Sequence, residues 1–129
     1  MQGTPNWSLS PSLHLLPSPS LTPAHLVAPE VISLVGASTA SDIWSLACTI
    51  IELVSGKPPY ADLNAMSAMF RIVEDPSPPI PSRCSPELCD FLARCFAKDP
   101  LQRPTAGELF EHEWLQSHWE IHKVRFPFL

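Results

Sequence analysis

The chain has 129 residues, of which 13 are acidic and 8 are basic, so its formal net charge is −5. This length favours one small domain, and the acidic balance argues against nucleic acid as a partner. We expect no secretory leader, because proline and serine interrupt every apolar run near the N-terminus. The four cysteines form no C-x-x-C pair, which favours buried free thiols in a cytosolic protein over metal ligands.

The first part of the chain differs in composition from the rest. The chain has 16 prolines, and residues 1–29 contain no Asp, Glu, Lys or Arg. Residues 8–27 are rich in Ser, Pro and Leu without a helical or strand period, so we expect this segment to be disordered or poorly packed. Its prolines lack the basic anchor that would favour an SH3 or WW ligand.

A short turn and a long apolar helix follow. Residues 29–33 are expected to form a helical turn with Pro29 at its first position. Residues 41–56 predict a helix with Ser41 as N-cap and no polar stripe, which we expect to be buried on every side. This helix is too short to span a bilayer. Gly56 is suited to the left-handed C′ position, and the prolines that follow prevent continuation.

Asn64 is a candidate N-cap for a third helix, which is expected to end near Glu74. The apolar side chains that we expect to face the core are Met66, Met69, Phe70 and Val73. The four prolines in residues 75–82 then require an extended loop.

Two further helices are marked by their first residues. Ser85, with Pro86 at the first helical position, starts an amphipathic helix. Its apolar stripe consists of Leu88, Phe91, Leu92, Cys95 and Phe96. Thr105 and Glu108 form a capping box for a last helix. The side chains that this helix is expected to bury are Leu109, Phe110, Trp114 and Leu115. No strand period is evident, so the sequence predicts an all-α assembly of four or five helices.

Several motifs together resemble the C-terminal lobe of a eukaryotic protein kinase. Residues 28–30, Ala-Pro-Glu, are similar to the A-P-E motif that closes the activation segment. Residues 41–45 and 56–60 resemble the central helix of that lobe and its exit. Residues 98–105 and 112–115 resemble its last loop and the helix after it. The sequence of residues 30–33 and 36–44 is most similar to Ser/Thr kinases of the MAP-kinase-kinase-kinase group, especially the fungal septation kinases and their plant relatives.

The resemblance divides the chain into four parts. These are the end of an activation segment at 1–7, an insert at 8–27, a partial kinase C-lobe at 28–116 and a tail at 117–129. The family has one residue where the insert stands. We interpret the insert as a translated intron, because codons for Ser8 and Val27 are compatible with splice boundaries inside one methionine codon. A functional insertion is the alternative.

The resemblance also implies roles for particular residues. Those in the expected substrate loop are Gly3, Thr4 and Pro5, and those in the expected scaffold are Glu30, Asp42, Trp44 and Arg103. Glu30 is expected to form a partly buried ion pair with Arg103. Asp42 is expected to accept hydrogen bonds from a catalytic loop, although a favourable charge at a helix N-terminus explains it equally well. For Thr4, a plain turn residue is the alternative.

The motifs that perform phosphoryl transfer in this family are absent from the sequence. It contains no G-x-G-x-x-G, no H-R-D and no D-F-G. We therefore expect no catalytic residue, no ATP or magnesium site and no activity in this chain. An intact parent would transfer the γ-phosphate of ATP to Ser or Thr of a protein substrate.

Two other functional readings stay open. One is a non-catalytic module that binds kinase partners or substrates through residues 64–74, and the other is a truncated gene product without function. We expect a cytoplasmic location, protein partners, and no contact with membranes. Because the central helix would lack its usual cover, we also expect marginal stability and self-association through its exposed face.

Overall fold

The computed structural model describes residues 23–117 and Trp119. Its α-helices are α1 (Pro29–Ile32), α2 (Thr39–Ser55), α3 (Ala65–Glu74), α4 (Pro86–Cys95) and α5 (Ala106–Phe110). Short 3-10 turns lie at Pro23–Leu26 and Pro100–Gln102, and residues 113–117 are again helical. No strand occurs among the residues described, which confirms the predicted all-α class. None of these helices is long and apolar enough to cross a membrane.

The start of α2 differs from the prediction, whereas its end agrees. The N-cap is Ser38, and Ser41 lies three residues inside the helix, where its Oγ accepts a hydrogen bond from the Ser38 N–H at 3.0 Å. Ser41 as N-cap was therefore wrong, because a second serine three residues earlier completes a capping box. Gly56 takes the predicted left-handed conformation, with φ of 85°, and its N–H donates to the Glu52 carbonyl.

One side of α2 faces the core and the other faces solvent. The buried side chains are Ser41, Ile43, Trp44, Ala47, Cys48 and Ile51. Asp42, Leu46, Thr49 and Leu53 form an exposed stripe that we call the open face of α2. Leu46 is 44% exposed and Leu53 is 81% exposed. The expectation that α2 is buried on every side is therefore wrong for the described residues.

Helix α4 packs against α2 and completes the core. Its predicted stripe is confirmed, since Leu88, Phe91, Leu92, Cys95 and Phe96 are all buried. The Phe96 ring meets Trp44 edge to face, with 5.0 Å between ring centroids. Such aromatic pairs stabilise a core beyond the area that they bury.

Helix α3 begins as predicted but turns a different face inward. The Asn64 side chain accepts a hydrogen bond from the Ser67 N–H at 2.8 Å, which confirms the cap. The buried residues are Ala68 and Ile72, whereas Met66 is 78% exposed and Phe70 is 64% exposed. The predicted core face was therefore wrong for Met66 and Phe70, whereas Met69 and Val73 are half-buried.

The last helical region is interrupted. Thr105 Oγ1 accepts from the Glu108 N–H at 3.1 Å, which confirms the predicted cap. Helix α5 ends at Phe110, and only Leu109 is buried in it. Phe110 is 58% exposed, so its predicted burial is wrong. Trp114 and Leu115 lie beyond the break and pack, half-buried, against the core.

The residues just before α1 are ordered and packed. His25 is buried, and its Nε2 lies 3.0 Å from the Leu63 carbonyl oxygen ahead of α3. The Ser45 hydroxyl donates to the Leu26 carbonyl at 2.7 Å. The expected disorder of residues 8–27 is therefore wrong for Pro23–Leu26. Residues 1–22, 118 and 120–129 lie outside the described part, so the expectations for the first seven residues, for 8–22 and for most of the tail stay predictions.

Candidate functional site

The buried ion pair that the motifs predict is present. Glu30 lies in the first turn of α1, and Arg103 follows the 3-10 turn at Pro100–Gln102. The guanidinium binds the carboxylate through two parallel contacts, from Nη1 to Oε2 and from Nη2 to Oε1, each at 2.7 Å. The Arg103 side chain is fully buried and the Glu30 side chain is 7% exposed. Residues 73 positions apart in the chain are thus held together by a bidentate pair.

The remaining donors of Arg103 bind backbone carbonyls. Nη1 donates to Ala40 at 2.9 Å, at the start of α2. Nε donates to Ala97 at 2.8 Å, and Nη2 to Lys98 at 3.2 Å, both after α4. The guanidinium therefore joins α1, the start of α2 and the end of α4. A buried charge needs such partners, because its desolvation is costly when they are missing.

Ser41 and Trp44 on α2 complete the surroundings of the pair. The Ser41 hydroxyl donates to Glu30 Oε2 at 3.2 Å. The Arg103 guanidinium lies 5.0 Å from the centroid of the Trp44 ring, on which it stacks. Trp44 is completely buried at the centre of the core. This position is compatible with the scaffold role that the resemblance implies. Its Nε1 has no hydrogen-bond partner among the described residues.

The electrostatics of the site favour an ionised carboxylate. Burial raises the pKa of Glu30, but hydrogen bonds and the positive charge from Arg103, with the Ser41 hydroxyl, outweigh burial. The net effect is a pKa below the ordinary value of 4.5. The Glu30 carboxylate is therefore ionised at neutral pH, and its pair with Arg103 acts as a structural clasp.

Asp42 has a different environment from the other scaffold residues. It is exposed at the N-terminus of α2, on the open face of that helix. Within residues 23–117 its carboxylate makes no hydrogen bond or ion pair. Its favourable position in the first turn of α2 is evident, whereas its expected contact with a catalytic loop stays a prediction. Gly3, Thr4 and Pro5 lie outside the described residues, so their role in a substrate loop also stays a prediction.

The expected absence of an ATP and magnesium site rests on motifs that are missing from the sequence. A Gly-rich loop and a strand lysine would be needed for the phosphates, and the Asp and Asn of the catalytic motifs for the metal. The sequence has none of these motifs. The described residues contain no group of three His, Cys, Asp or Glu side chains arranged to hold a metal ion. The expected absence of an ATP or magnesium site in this chain stays a prediction.

Comparison with known families agrees with this geometry. The family model described as the protein kinase domain matches residues 13–115. The chain belongs to the protein kinase family. The matched region contains all four described residues of the clasp and its surroundings, Glu30, Ser41, Trp44 and Arg103. It starts within the segment that we interpreted as an insert.

Fungal and plant kinases are among the proteins that this chain resembles. Over 89 residues the chain is 58% identical to cytokinesis protein sepH of Aspergillus niger, which is 69% of this chain and 7% of that protein. Over 91 residues it is 54% identical to MAP3K epsilon protein kinase 1 of Arabidopsis thaliana, and the match covers 70% of this chain and 7% of that protein. Over 89 residues it is 55% identical to cell division control protein 7 of Schizosaccharomyces pombe, and the match covers 69% of this chain and 8% of that protein. The chain is thus a partial kinase domain of the MAP3K and septation group, and it spans less than a tenth of these relatives.

Sequence reasoning missed two residues that position this part of the kinase fold. The Lys98 ammonium donates to the carbonyls of Ile72, at 3.0 Å, and of Val73 and Asp75, at the end of α3. His25 connects the residues before α1 to the loop before α3. A single sequence gives no signal for either contact, because each joins a side chain to a backbone carbonyl more than twenty residues away.

Proposed function

We propose that this chain is a segment of a Ser/Thr protein kinase whose full-length form transfers the γ-phosphate of ATP to Ser or Thr of a protein substrate. The observation that supports this proposal is the buried clasp between Glu30, which ends the A-P-E motif, and Arg103. ATP and magnesium are cofactors of the full-length form in this proposal. Its location is cytoplasmic, and its partners are proteins.

In this proposal, the described helices act as a platform. The clasp fixes α1 against α2, so the chain just before Glu30 has a defined exit from the fold. In a full-length kinase without residues 8–27, Gly3, Thr4 and Pro5 would extend from this exit as the loop that receives the substrate. The buried core under the clasp makes the platform rigid.

We assign the full-length kinase to MAP-kinase-type or septation signalling. The support is the kinases that this chain resembles, which include a cytokinesis protein and MAP3K epsilon kinases. The clasp is buried, so it offers no surface that would select one substrate. The pathway therefore has to be tested in the full-length protein.

Two measurements test the proposal. The purified chain, mixed with radiolabelled ATP, magnesium and a general kinase substrate, should give no phosphate transfer, because no group in it holds the nucleotide. The sequence encoded upstream of Met1 should supply a Gly-rich loop, H-R-D and D-F-G in that order. Turnover by the chain alone, or an upstream sequence without these motifs, contradicts the proposal.

The transcript across residues 8–27 tests the intron in the same experiment, because a spliced message should join Trp7 to Ala28 through one methionine codon.

A second candidate function is a binding module for a kinase partner or substrate. The observation that favours it is the exposed apolar side of α3, where Leu63, Met66 and Phe70 line a shallow groove next to Arg71. Met66→Glu with Phe70→Glu should abolish binding of such a partner and leave the melting temperature unchanged. A message that contains the upstream kinase motifs would favour the first proposal over this one.

We further propose that the chain self-associates through the open face of α2. Leu46 and Leu53 are exposed there beside few charged groups, and their burial against a second copy would remove apolar surface from water. Asp42, whose charge favours contact with water, lies at one end of this stripe. We therefore expect the contact between two copies to be centred on Leu46 and Leu53.

A further inference from the structure

Two half-buried cysteines meet at the start of α4. Cys84 immediately precedes the N-cap Ser85, and Cys89 is the fourth residue of the helix. Residues at these two positions face each other across the first helical turn, where they usually hold a pair of contacting apolar side chains. In this chain both positions of that hydrophobic staple are occupied by thiols.

The contact between the two residues is fixed by the surrounding hydrogen bonds. The Cys89 thiol donates to the Cys84 carbonyl, with 3.6 Å between sulfur and oxygen. The Cys89 N–H donates to the Ser85 carbonyl at 2.9 Å, and the Leu88 N–H to the Ser85 hydroxyl at 3.2 Å. On the other side, the Cys84 N–H donates to Pro81 at 3.2 Å. Both thiols are therefore held on one ordered turn.

The other two cysteines differ from this pair in exposure. Cys48 and Cys95 are completely buried in the core, and burial raises the pKa of each thiol to about 12. Burial also raises the pKa of Cys84, as does the adjacent Cys89 thiol, whereas Arg83 opposes these effects. All four thiols are free in the structure. Only Cys84 and Cys89 combine a nearby second thiol with access from solvent.

We propose that Cys84 and Cys89 form a reversible intrachain disulfide on reaction with a small-molecule disulfide such as oxidised glutathione. The thiolate of one cysteine attacks a glutathione sulfur, forms a mixed disulfide and releases one glutathione thiolate. The second cysteine, as its thiolate, then attacks the protein sulfur of the mixed disulfide and releases the second glutathione. The protein loses two electrons and two protons, and one oxidised glutathione becomes two reduced molecules.

Tryptic mapping gives a direct test on the full chain. Cleavage after Arg83 and Arg94 places both cysteines on one peptide, residues 84–94, without Cys48 or Cys95. The native chain is equilibrated with defined ratios of reduced and oxidised glutathione, quenched with acid, alkylated after unfolding and analysed by mass spectrometry. We expect this peptide to lose two hydrogen atoms and to escape alkylation, while Cys48 and Cys95 are alkylated.

Unfolded chain and single variants provide the controls. Because the folded turn holds the thiols together, the native chain should form this disulfide at least about tenfold more favourably than the chain in urea. In Cys89→Ser and Cys84→Ser, the remaining cysteine should stop at the mixed disulfide with glutathione. Equal formation in native and unfolded chain, persistent glutathione on both cysteines of the native chain, or a disulfide that involves Cys48 or Cys95 would overturn the proposal.

Discussion

Glu30 is a carboxylate from which the fold excludes nearly all water, and it stays charged because Arg103 binds both of its oxygens. Removing the charge leaves a buried guanidinium without its counter-ion. Glu30→Gln should therefore lower the free energy of unfolding by about 3–5 kcal/mol, measured by urea denaturation. Asp62→Asn, which removes an exposed partner of Lys57, is the matched control and should change stability little. Equal effects of the two substitutions would contradict a structural clasp.

The lowered pKa of Glu30 also makes the clasp sensitive to acid. Since the pKa in the folded chain lies below 4.5, the clasp contributes its full stabilisation above that pH and loses it as the pH falls through the folded value. The melting temperature of the wild-type chain should fall more steeply than that of Glu30→Gln between about pH 5 and pH 2. Parallel curves for the two proteins would show that the carboxyl group is not stabilised by folding.

At this scale, the sequence predicted partners only where a family motif named both residues. The pairing of Glu30 with Arg103 was expected from the resemblance, and it is present. The sequence predicts Ser41 as the N-cap, whereas its hydroxyl accepts from the Ser38 N–H inside the helix and donates to Glu30. A serine hydroxyl can bind many different donors and acceptors. The sequence does not show which of them lie next to it, so only the three-dimensional structure identifies its partners.

The C-terminal end of α3 is capped by the side chain of a lysine from another part of the chain, Lys98. The Lys98 ammonium donates to carbonyls of Ile72, Val73 and Asp75, which would otherwise be unpaired at the end of the helix. Lys98→Met keeps the apolar stem but removes these donors. We expect a loss of about 1.5–3 kcal/mol in the free energy of unfolding, since hydrogen bonds from a charged donor are lost.

Hydrogen exchange locates the effect of this substitution. The amides in the last turn of α3 should exchange faster in Lys98→Met, whereas those of α4 should be unaffected at equal global stability. Arg94→Met removes an exposed charge on α4 that pairs with Asp90, and it should change exchange in neither helix strongly. A uniform change across both helices would mean that Lys98 does not act as a cap for α3.

Helix starts were easier to predict than helix faces. Asn64, Ser85 and Thr105 each accept a hydrogen bond from an amide three residues later, so a window of four residues contains the whole interaction. The inward face of α3, with Ala68 and Ile72, depends instead on packing against α1 and the turn at Pro23–Leu26, which are distant in sequence. The predicted face with Met66 and Phe70 was wrong for that reason.

At the scale of the whole fold, the described residues form a packed core against one side of α2 and leave its other side exposed. Trp44, Phe91, Phe96 and Leu92 are buried at the centre, whereas Leu46 and Leu53 remain in solvent on the other side of α2. The apolar composition of α2 predicted burial on every side, and that prediction was wrong for the described residues, which cover only one side of the helix. The sequence could not show this, because composition does not state which neighbours are present.

An uncovered apolar stripe on an otherwise packed helix should drive association of two copies. Each fully buried leucine contributes about 1.5–3 kcal/mol, so two such residues per copy support a weak, concentration-dependent dimer. Sedimentation equilibrium of the purified chain should show this dimer, and Leu46→Glu with Leu53→Glu should return the chain to a monomer. The same charges at Met66 and Phe70 on α3 provide the matched control, which should leave the dimer intact. If the α3 variant dissociates the dimer and the α2 variant does not, the association surface lies on α3 and the open face of α2 is not used.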